Sequence, residues 1–409
     1  MISIENKIES ENVNYFDTSF EQTYTNRPKI ISGFQKGISE LNIWFSLYRM
    51  VSQHFRNPLK CLSILRKLVD IRKKVLGEFQ LQKFVKANGK YYWDLYTPGF
   101  KSLAFTKYME GEIDRFEPLD VETNQFTHVF MAITKKCGMR CEHCFEWDAL
   151  NGKEKLTKSD LKFMISKLNK IGVGQIQFSG GEPLLRVDDL ICILSGSSNK
   201  SEYWVNTSGH GLTMENAKKL YEAGLTGVLI SLDHYDETEH NLFRGHKNAY
   251  HLAMQAVNYA LANHLIPAFS ICVTKTFVSR ENLLQYATLA KELGVCFIQL
   301  LEPKAVGHYK GKDVGLEPEQ IKILETFYED LNYNKDFREY PLVTYHGYHQ
   351  RRIGCFASAN RSFYIDTDGD MHSCPFCHSK TGSFLKLDHS ESLEQLKQKS
   401  CQSFKKALI

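Results

Sequence analysis

The sequence predicts an α/β fold in which parallel strands alternate with helices to make most of a TIM-like barrel, a partial (β/α)6 barrel. Two observations carry this expectation. Short apolar runs rich in β-branched and aromatic residues recur six times between residues 127 and 301, and amphipathic helical patterns separate them. The residues with chemical capability then fall just after these runs, on the C-terminal rim where such barrels build active sites.

The expected strands are Thr127–Ile133, Gly174–Phe178, Tyr203–Asn206, Gly227–Leu232, Ala268–Thr274 and Val295–Leu301. Between them, apolar residues at helical spacing predict helices at about Lys158–Lys170, Val187–Leu194, Met214–Glu222, Lys247–Asn263 and Arg280–Leu293. Residues 127–335 are assigned to this barrel, 1–126 to an N-terminal extension and 336–409 to a cysteine-rich C-terminal region. The first 30 residues are polar and expected to be mobile. Two amphipathic helices follow between Ile38 and Leu76, interrupted at Asn57-Pro58. A hairpin then pairs Leu81–Lys86 with Lys90–Tyr96 around Asn88-Gly89. In the second helix Cys61, Leu62, Leu65, Leu68, Val69 and Leu76 define one face, and seven Lys or Arg against one Asp lie between His54 and Lys74. A basic amphipathic helix can lie on an anionic membrane surface. The same pattern also describes the solvated outer face of a helix packed on the barrel.

Three cysteines, Cys137, Cys141 and Cys144, follow the first strand in a C-x3-C-x2-C spacing. Thiolates are the usual ligands of iron–sulfur clusters, and a four-iron cubane takes four. Three leave one iron open to a substrate or cofactor. Structural zinc is the alternative, because zinc sites also use such knuckles and His143 stands inside this one. After the second strand comes Ser179-Gly180-Gly181-Glu182-Pro183. Consecutive glycines let a ligand approach the backbone. Proline holds Glu182 extended, so that its carboxylate can be aimed at a positive group. A fixed glutamate beside an open iron suits an amino-acid cofactor whose ammonium must be oriented, and this weighs against zinc.

On these motifs the chain resembles the radical S-adenosylmethionine (radical SAM) family over roughly residues 127–409. The family's C-x3-C-x-Φ-C loop is matched by Cys137, Cys141, His143 and Cys144, with His143 in the aromatic slot that contacts adenine. Its GGEP motif is matched by Gly180, Gly181, Glu182 and Pro183. The resemblance implies a [4Fe-4S] cluster whose unique iron is chelated by S-adenosylmethionine (SAM). It further implies reductive cleavage of SAM to methionine and a 5′-deoxyadenosyl radical that takes a hydrogen atom from the substrate. A low-potential electron donor such as flavodoxin or ferredoxin is implied as a partner. Asn206-Thr207-Ser208-Gly209 resembles the family's N-T-N-G stretch, with Ser208 as a departure. Ser231 and Asp233 resemble its S-x-D segment lining the SAM and substrate pocket, although polar turns after strands would look the same. Arg244-Gly245 matches an R-G pair common in the protein-modifying branch. No catalytic acid or base is assigned.

The C-terminal region holds Cys355, Cys374, Cys377 and Cys401. The spacing C-x13-G-x4-C through Gly369, completed by the C-P-F-C knuckle, resembles the start of SPASM/Twitch modules that carry auxiliary [4Fe-4S] clusters. One auxiliary cluster is the preferred reading, with a structural zinc ribbon as the alternative. Phe363 to Ser373 reads as a hairpin with an Asp-Gly turn that would bring Cys355 and Cys374 together. Cys61, Cys192, Cys272 and Cys296 lie within regular patterns and are expected to be packing residues.

A chain of 409 residues with 43% hydrophobic content supports one large core plus appended parts. Its net charge of +4 makes no demand for nucleic acid. No apolar run approaches about 18 residues, so no transmembrane helix is expected. Of eleven cysteines seven cluster at ligand-like spacings, which, without a cleavable signal sequence, points to a reducing cytoplasm. The function expected is radical modification of a peptide or protein side chain. A lipid or small metabolite handled at the membrane surface is the alternative substrate, and a non-catalytic redox sensor is a remote one. The order of helix then hairpin does not match the leader-peptide-binding module that opens many peptide-modifying relatives, which counts against a leader-guided substrate.

Overall fold

The computed structural model describes residues 27–377, 380–399 and 404–405. The expectation of a mobile start falls largely on residues 1–26, and Cys401 also lies outside the described residues.

The N-terminal extension comprises β1 (Lys29–Ser32), α1 (Gly33–His54), α2 (Pro58–Leu76), β2 (Lys83–Ala87), β3 (Lys90–Tyr92) and α3 (Leu103–Asp114). The helices break at the expected dipeptide. The Asn57 side chain caps α2 by accepting from the Leu59 N–H, and Pro58 takes the first helical position, where a missing N–H costs nothing. The hairpin turns at Asn88 and Gly89, both at positive φ. Strand β1 was not anticipated; it pairs antiparallel with β2 to give a three-stranded sheet.

Next in the chain come β4 (Phe126–Ala132), α4 (Lys158–Ile171), β5 (Val173–Ser179), α5 (Val187–Leu194), β6 (Glu202–Thr207) and α6 (Met214–Glu222). They are followed by β7 (Gly227–Ser231), α7 (Glu237–Arg244), α8 (Ala249–Ala262), β8 (Ile266–Cys272), α9 (Arg280–Glu292) and β9 (Phe297–Leu301). All six expected strands form, and β4 through β9 pair in parallel in chain order. The last elements are α10 (Pro318–Tyr333), β10 (Leu342–Tyr345), α11 (His346–Ile353), β11 (Ser362–Ile365), β12 (Asp370–His372), β13 (Gly382–Ser383) and α12 (Ser390–Lys399). Strand β10 adds parallel to β9, and β11 adds parallel to β4 at the opposite side. These two do not pair with each other, so the sheet is a partial barrel and not a closed one. The hairpin of β11 and β12 forms as expected, around Gly369 at φ +80°.

Alternation along the strands divides the core in two. Val129, Met131, Ile176, Phe178, Val205, Val228 and Ile230 belong to the main cluster under the helices. Trp204, Leu229, Ala268, Phe297 and Leu342 instead pack with Val85, Ala87, Tyr92, Leu95 and Tyr96 of the extension. The extension therefore fills one end of the barrel interior. Buried Glu202, at the start of β6, accepts from Lys90 Nζ at 3.3 Å, Tyr92 OH at 3.3 Å and the Gly99 N–H at 3.1 Å. Gln175 in β5 donates to the Leu95 carbonyl at 2.9 Å. All these anchors sit where strands begin, which leaves the end where strands finish for chemistry.

One anchor carries a cost. Lys83 in β2 is buried, and its ammonium donates to the Phe337 carbonyl at 2.7 Å. Burial draws its pKa from 10.5 down to about 7. The unfolded chain keeps that proton to higher pH than the folded one, so this group makes stability rise with pH through the window from about 7 to 10.5. Thermal unfolding at about pH 6 and about pH 9 should show a larger gain in Tm for the native chain than for Lys83→Met. An equal gain in both would show that Lys83 stays protonated in the fold.

Candidate active site at the strand ends

The loop after β4, from Ile133 to Leu150, has no regular secondary structure, and its shape is set by glycines of neighbouring loops. A Cβ on Gly180 would lie against the Thr134 carbonyl, and one on Gly181 would overlap the Lys136 carbonyl. The Gly181 N–H donates to Thr134 O and the Glu182 N–H to Lys136 O, each at 2.7 Å. The room that these missing side chains provide is thus filled by the chain's own backbone. Gly245, at φ +60°, lies against the Arg140 carbonyl, and Gly307, at φ +56°, against that of Cys144.

Within this frame each cysteine has its own support. The Asn151 side chain accepts from the Cys137 N–H and donates to the Cys137 carbonyl, both at 3.1 Å. Arg140 and Glu142 N–H groups donate to Arg244 O and Phe243 O at 3.0 and 2.9 Å. The His308 N–H donates to Cys144 O at 2.9 Å, and its ring Nδ1 lies 3.0 Å from Cys141 O. The same ring stacks on Trp147 with centroids 3.8 Å apart. Sequence reasoning missed Asn151, Phe243, Gly307 and His308, because their bonds to the loop are made by fold proximity and carry no local motif.

Glu182 is buried, and its carboxylate is already engaged. Oε1 accepts from the Leu184 N–H and Thr207 Oγ1 at 3.1 and 2.7 Å, and Oε2 from the Ser208 N–H and Oγ at 2.8 and 2.6 Å. Burial pushes its pKa up, and the bonds from Ser208 and Thr207 draw it back. In the structure Glu182 therefore ties β5 to the end of β6, and Ser208 serves the glutamate directly. Pro183 opens a short 3-10 turn, Pro183–Arg186, capped by Glu182.

Asp233 and Arg244 make a buried pair across the rim. Arg244 Nε donates to Asp233 Oδ2 at 2.6 Å, and the Cys272 N–H donates to Oδ1 at 2.9 Å. Arg244 Nη1 also lies 3.5 Å from Cys141 Sγ. His143 stacks on Phe243 at 4.9 Å, and burial lowers its pKa to about 4, so the ring is neutral. Its Nδ1 and the Oδ1 of Asn206 are buried without a partner among the described residues.

A cavity of about 960 Å³ joins these groups. Cys137, Cys141, His143, Cys144, Ser179, Gly180, Gly181, Glu182, Asn206, Ser208, Ser231 and Asp233 all line it, whereas Pro183 does not. Cys355, Cys374 and Cys377 line the same cavity. The Ser358 N–H donates to Ser373 O at 3.1 Å, which joins the two segments that carry Cys355 and Cys374. Phe145, next to Cys144, packs edge-on against Phe376 of the C-terminal knuckle at 5.9 Å. Asp368, at the tip of the hairpin, ties this region to the first loop through Lys135 at 2.5 Å and Lys155 at 2.7 Å.

Cys137, Cys141 and Cys144 are the residues that would hold a metal cluster, and the groups around them would border a bound organic cofactor. Burial raises the thiol of Cys137 to about 11 and of Cys144 to about 12, and raises that of Cys141 as well. Burial disfavours their thiolate forms, and a bound cation would favour them. The unpartnered Asn206 Oδ1 and His143 Nδ1 offer polar contacts to a ligand beside them.

Residues 131–290 match the family model of the Radical SAM superfamily. Among curated proteins, GTP 3′,8-cyclase of Staphylococcus saprophyticus is 24% identical over 266 residues, 60% of this chain and 77% of the cyclase. Streptococcus suis SuiB bound to its precursor peptide SuiA superposes with a TM-score of 0.54 at 14% identity, over 84% of this chain and 71% of SuiB. In its S-adenosylmethionine-bound form the match spans 66% of that chain, just under two thirds. Native anSMEcpe with bound AdoMet and Cp18Cys peptide gives 0.53 at 19% identity, over 68% of this chain and 84% of that one. At such identities the structural likenesses establish the fold.

The backbone contact at Gly181 makes a prediction. Gly181→Ala should displace the loop at Lys136 and cost about 2 kcal/mol or more. Gly138→Ala, whose Cβ would meet only the His210 ring at 3.1 Å, should cost about 1 kcal/mol or less. Thermal melts of both variants check this, and equal melting temperatures would refute the close-approach account.

Proposed function

From the premise that this chain is a radical SAM enzyme, we propose that it takes a hydrogen atom from a side chain of a peptide or protein. A [4Fe-4S] cluster and S-adenosylmethionine are the cofactors of its superfamily, and when bound they supply a 5′-deoxyadenosyl radical as the abstracting agent. Cys137, Cys141 and Cys144 are the ligands we assign to that cluster. Gly180, Gly181, Asn206 and His143 border the SAM, and Ser179, Ser208, Ser231 and Asp233 complete the lining. Glu182 and Pro183 act through the strand ends they hold, since the carboxylate is bonded to Thr207 and Ser208. Arg244 keeps a cationic N–H near the Cys141 sulfur and neutralises Asp233, so this wall adds no net charge. Cys355, Cys374 and Cys377, with Cys401, are the ligands proposed for an auxiliary cluster facing the same cavity.

The observation that favours a peptide is the charge of the cavity. Among its described lining residues Glu40, Asp94, Glu112, Glu182, Asp233 and Glu302 are acidic. Its cations are Arg72, Arg244, Lys304 and Arg361. Three of these are ion-paired, Arg244 with Asp233, Lys304 with Glu302 and Arg361 with Glu112, and Arg72 donates to the Phe79 carbonyl. Among the described lining residues Arg72 is the one cation without an acidic partner, so a triphosphate would find one unpaired cation there, which weighs against a substrate like that of the GTP 3′,8-cyclases. SuiB and anSMEcpe, of like fold, are seen with peptides bound. A second reading, an apolar substrate such as a lipid, is supported by the far end of the cavity, where Trp44, Leu47, Leu68 and Leu76 form the wall.

Two measurements test the assignment. Cys141→Ala, reconstituted anaerobically and reduced with dithionite, should form no 5′-deoxyadenosine from SAM, whereas the native chain should form it. Continued formation would refute the ligand set. Metal analysis should find about eight irons per chain for two cubanes, and about four irons with one zinc if the C-terminal site is a zinc ribbon.

A further inference from the structure

Helix α1 is apolar on two opposite faces. Ile43, Leu47, Met50 and Val51 are buried in the core of the extension. On the other side Phe34, Ile38, Leu41 and Phe45 are 84, 47, 72 and 70% exposed. Steps of four, three and four residues place these four within about 60° of one another on the helix. An exposed stripe of large apolar side chains marks a surface that meets another apolar phase. On helix α2, Leu59 and Leu62 are likewise 77 and 55% exposed.

Charge says what that phase is. Helix α2 carries Lys60, Arg66, Lys67, Arg72, Lys73 and Lys74 against the single acid Asp70. Arg49, Arg56, Arg66 and Lys74 are exposed and have no ion-pair partner among the described residues. Arg49 follows Phe45 by one turn, on the side of the helix that bears the stripe. We propose that this face of α1 and α2 docks the enzyme on an anionic lipid bilayer. Phe34, Ile38, Leu41, Phe45, Leu59 and Leu62 enter the acyl boundary, and the cations meet the headgroups. A second copy of the chain fits less well, because two-fold pairing would bring the cations of one α2 toward those of its mate. The proposal is independent of the substrate assigned above, since the opposite side of α1, through Leu47, is the one that lines the cavity.

The test uses the full chain, reconstituted with iron and sulfide, in sedimentation with vesicles. It should pellet with phosphatidylcholine–phosphatidylglycerol vesicles at low salt, stay in solution with phosphatidylcholine alone, and be released as salt is raised. Phe34→Ser with Phe45→Ser should lower partitioning at least about tenfold with the fold intact by circular dichroism. Arg66→Gln with Lys74→Gln should weaken it for anionic vesicles. Leu387→Ser, at an isolated exposed leucine, should change nothing. Three results would overturn the proposal. The native chain stays in the supernatant with anionic vesicles at low salt. The stripe variant pellets like the native chain. Light scattering finds a dimer that the stripe variant dissolves.

Discussion

The site depends on close approach of backbone to backbone. The cysteine loop lacks helix or strand, and its own backbone bonds, such as the Cys144 N–H to Cys141 O at 3.3 Å, make only isolated turns. Its position is imposed by Gly181 against Lys136, Gly245 against Arg140 and Gly307 against Cys144, each at a place where a Cβ would collide with a carbonyl. These glycines belong to loops after β5, α7 and β9, so distant parts of the barrel hold the loop. A thiol set that must accept a cluster without rearranging needs such a frame, because cysteine rotamers alone would let the ligands spread.

The rest of the molecule follows from keeping that rim open and the opposite end shut. Val85, Tyr92 and Tyr96 close the barrel against Trp204 and Phe297, and Glu202 and Gln175 satisfy polar groups that this closure buries. The strands β10 and β11 widen the sheet at both sides without joining, which leaves room for a large cavity beneath the cysteine loop. Cys374 and Cys377 reach the same cavity because Asp368 and Phe376 clamp their segment to the first loop.

Much of the barrel was legible because its signals are periodic and local. Six strands and five helices stand within a few residues of their expected limits, and the caps Thr157, Thr213 and Ser279 mark helix starts. Of the motif residues among those described, all but Pro183, Gly209, Gly245 and Gly369 line one cavity. What they do individually was less legible. The reading of Gly180 and Gly181 as room for a ligand did not foresee the loop packed there, and the reading of Glu182 as a carboxylate aimed at a positive group did not foresee its bonds to Thr207 and Ser208. Strands β1, β10 and β11 as a barrel edge escaped notice because each is four residues long and pairs with a partner far away in sequence. Asn151 and His308 each hold the cysteine loop through two contacts to its backbone, for which no sequence pattern exists.

The central claim is that three thiols at Cys137, Cys141 and Cys144 leave one iron available to SAM. Electron paramagnetic resonance of the reduced Cys374→Ala, Cys377→Ala chain, in which two of the four proposed C-terminal ligands are removed, tests it most directly. The account predicts a [4Fe-4S] signal whose line shape shifts when SAM is added, as a new ligand reaches the open iron. A signal that SAM leaves unchanged, or no cluster signal at all beside an intact fold, would contradict it.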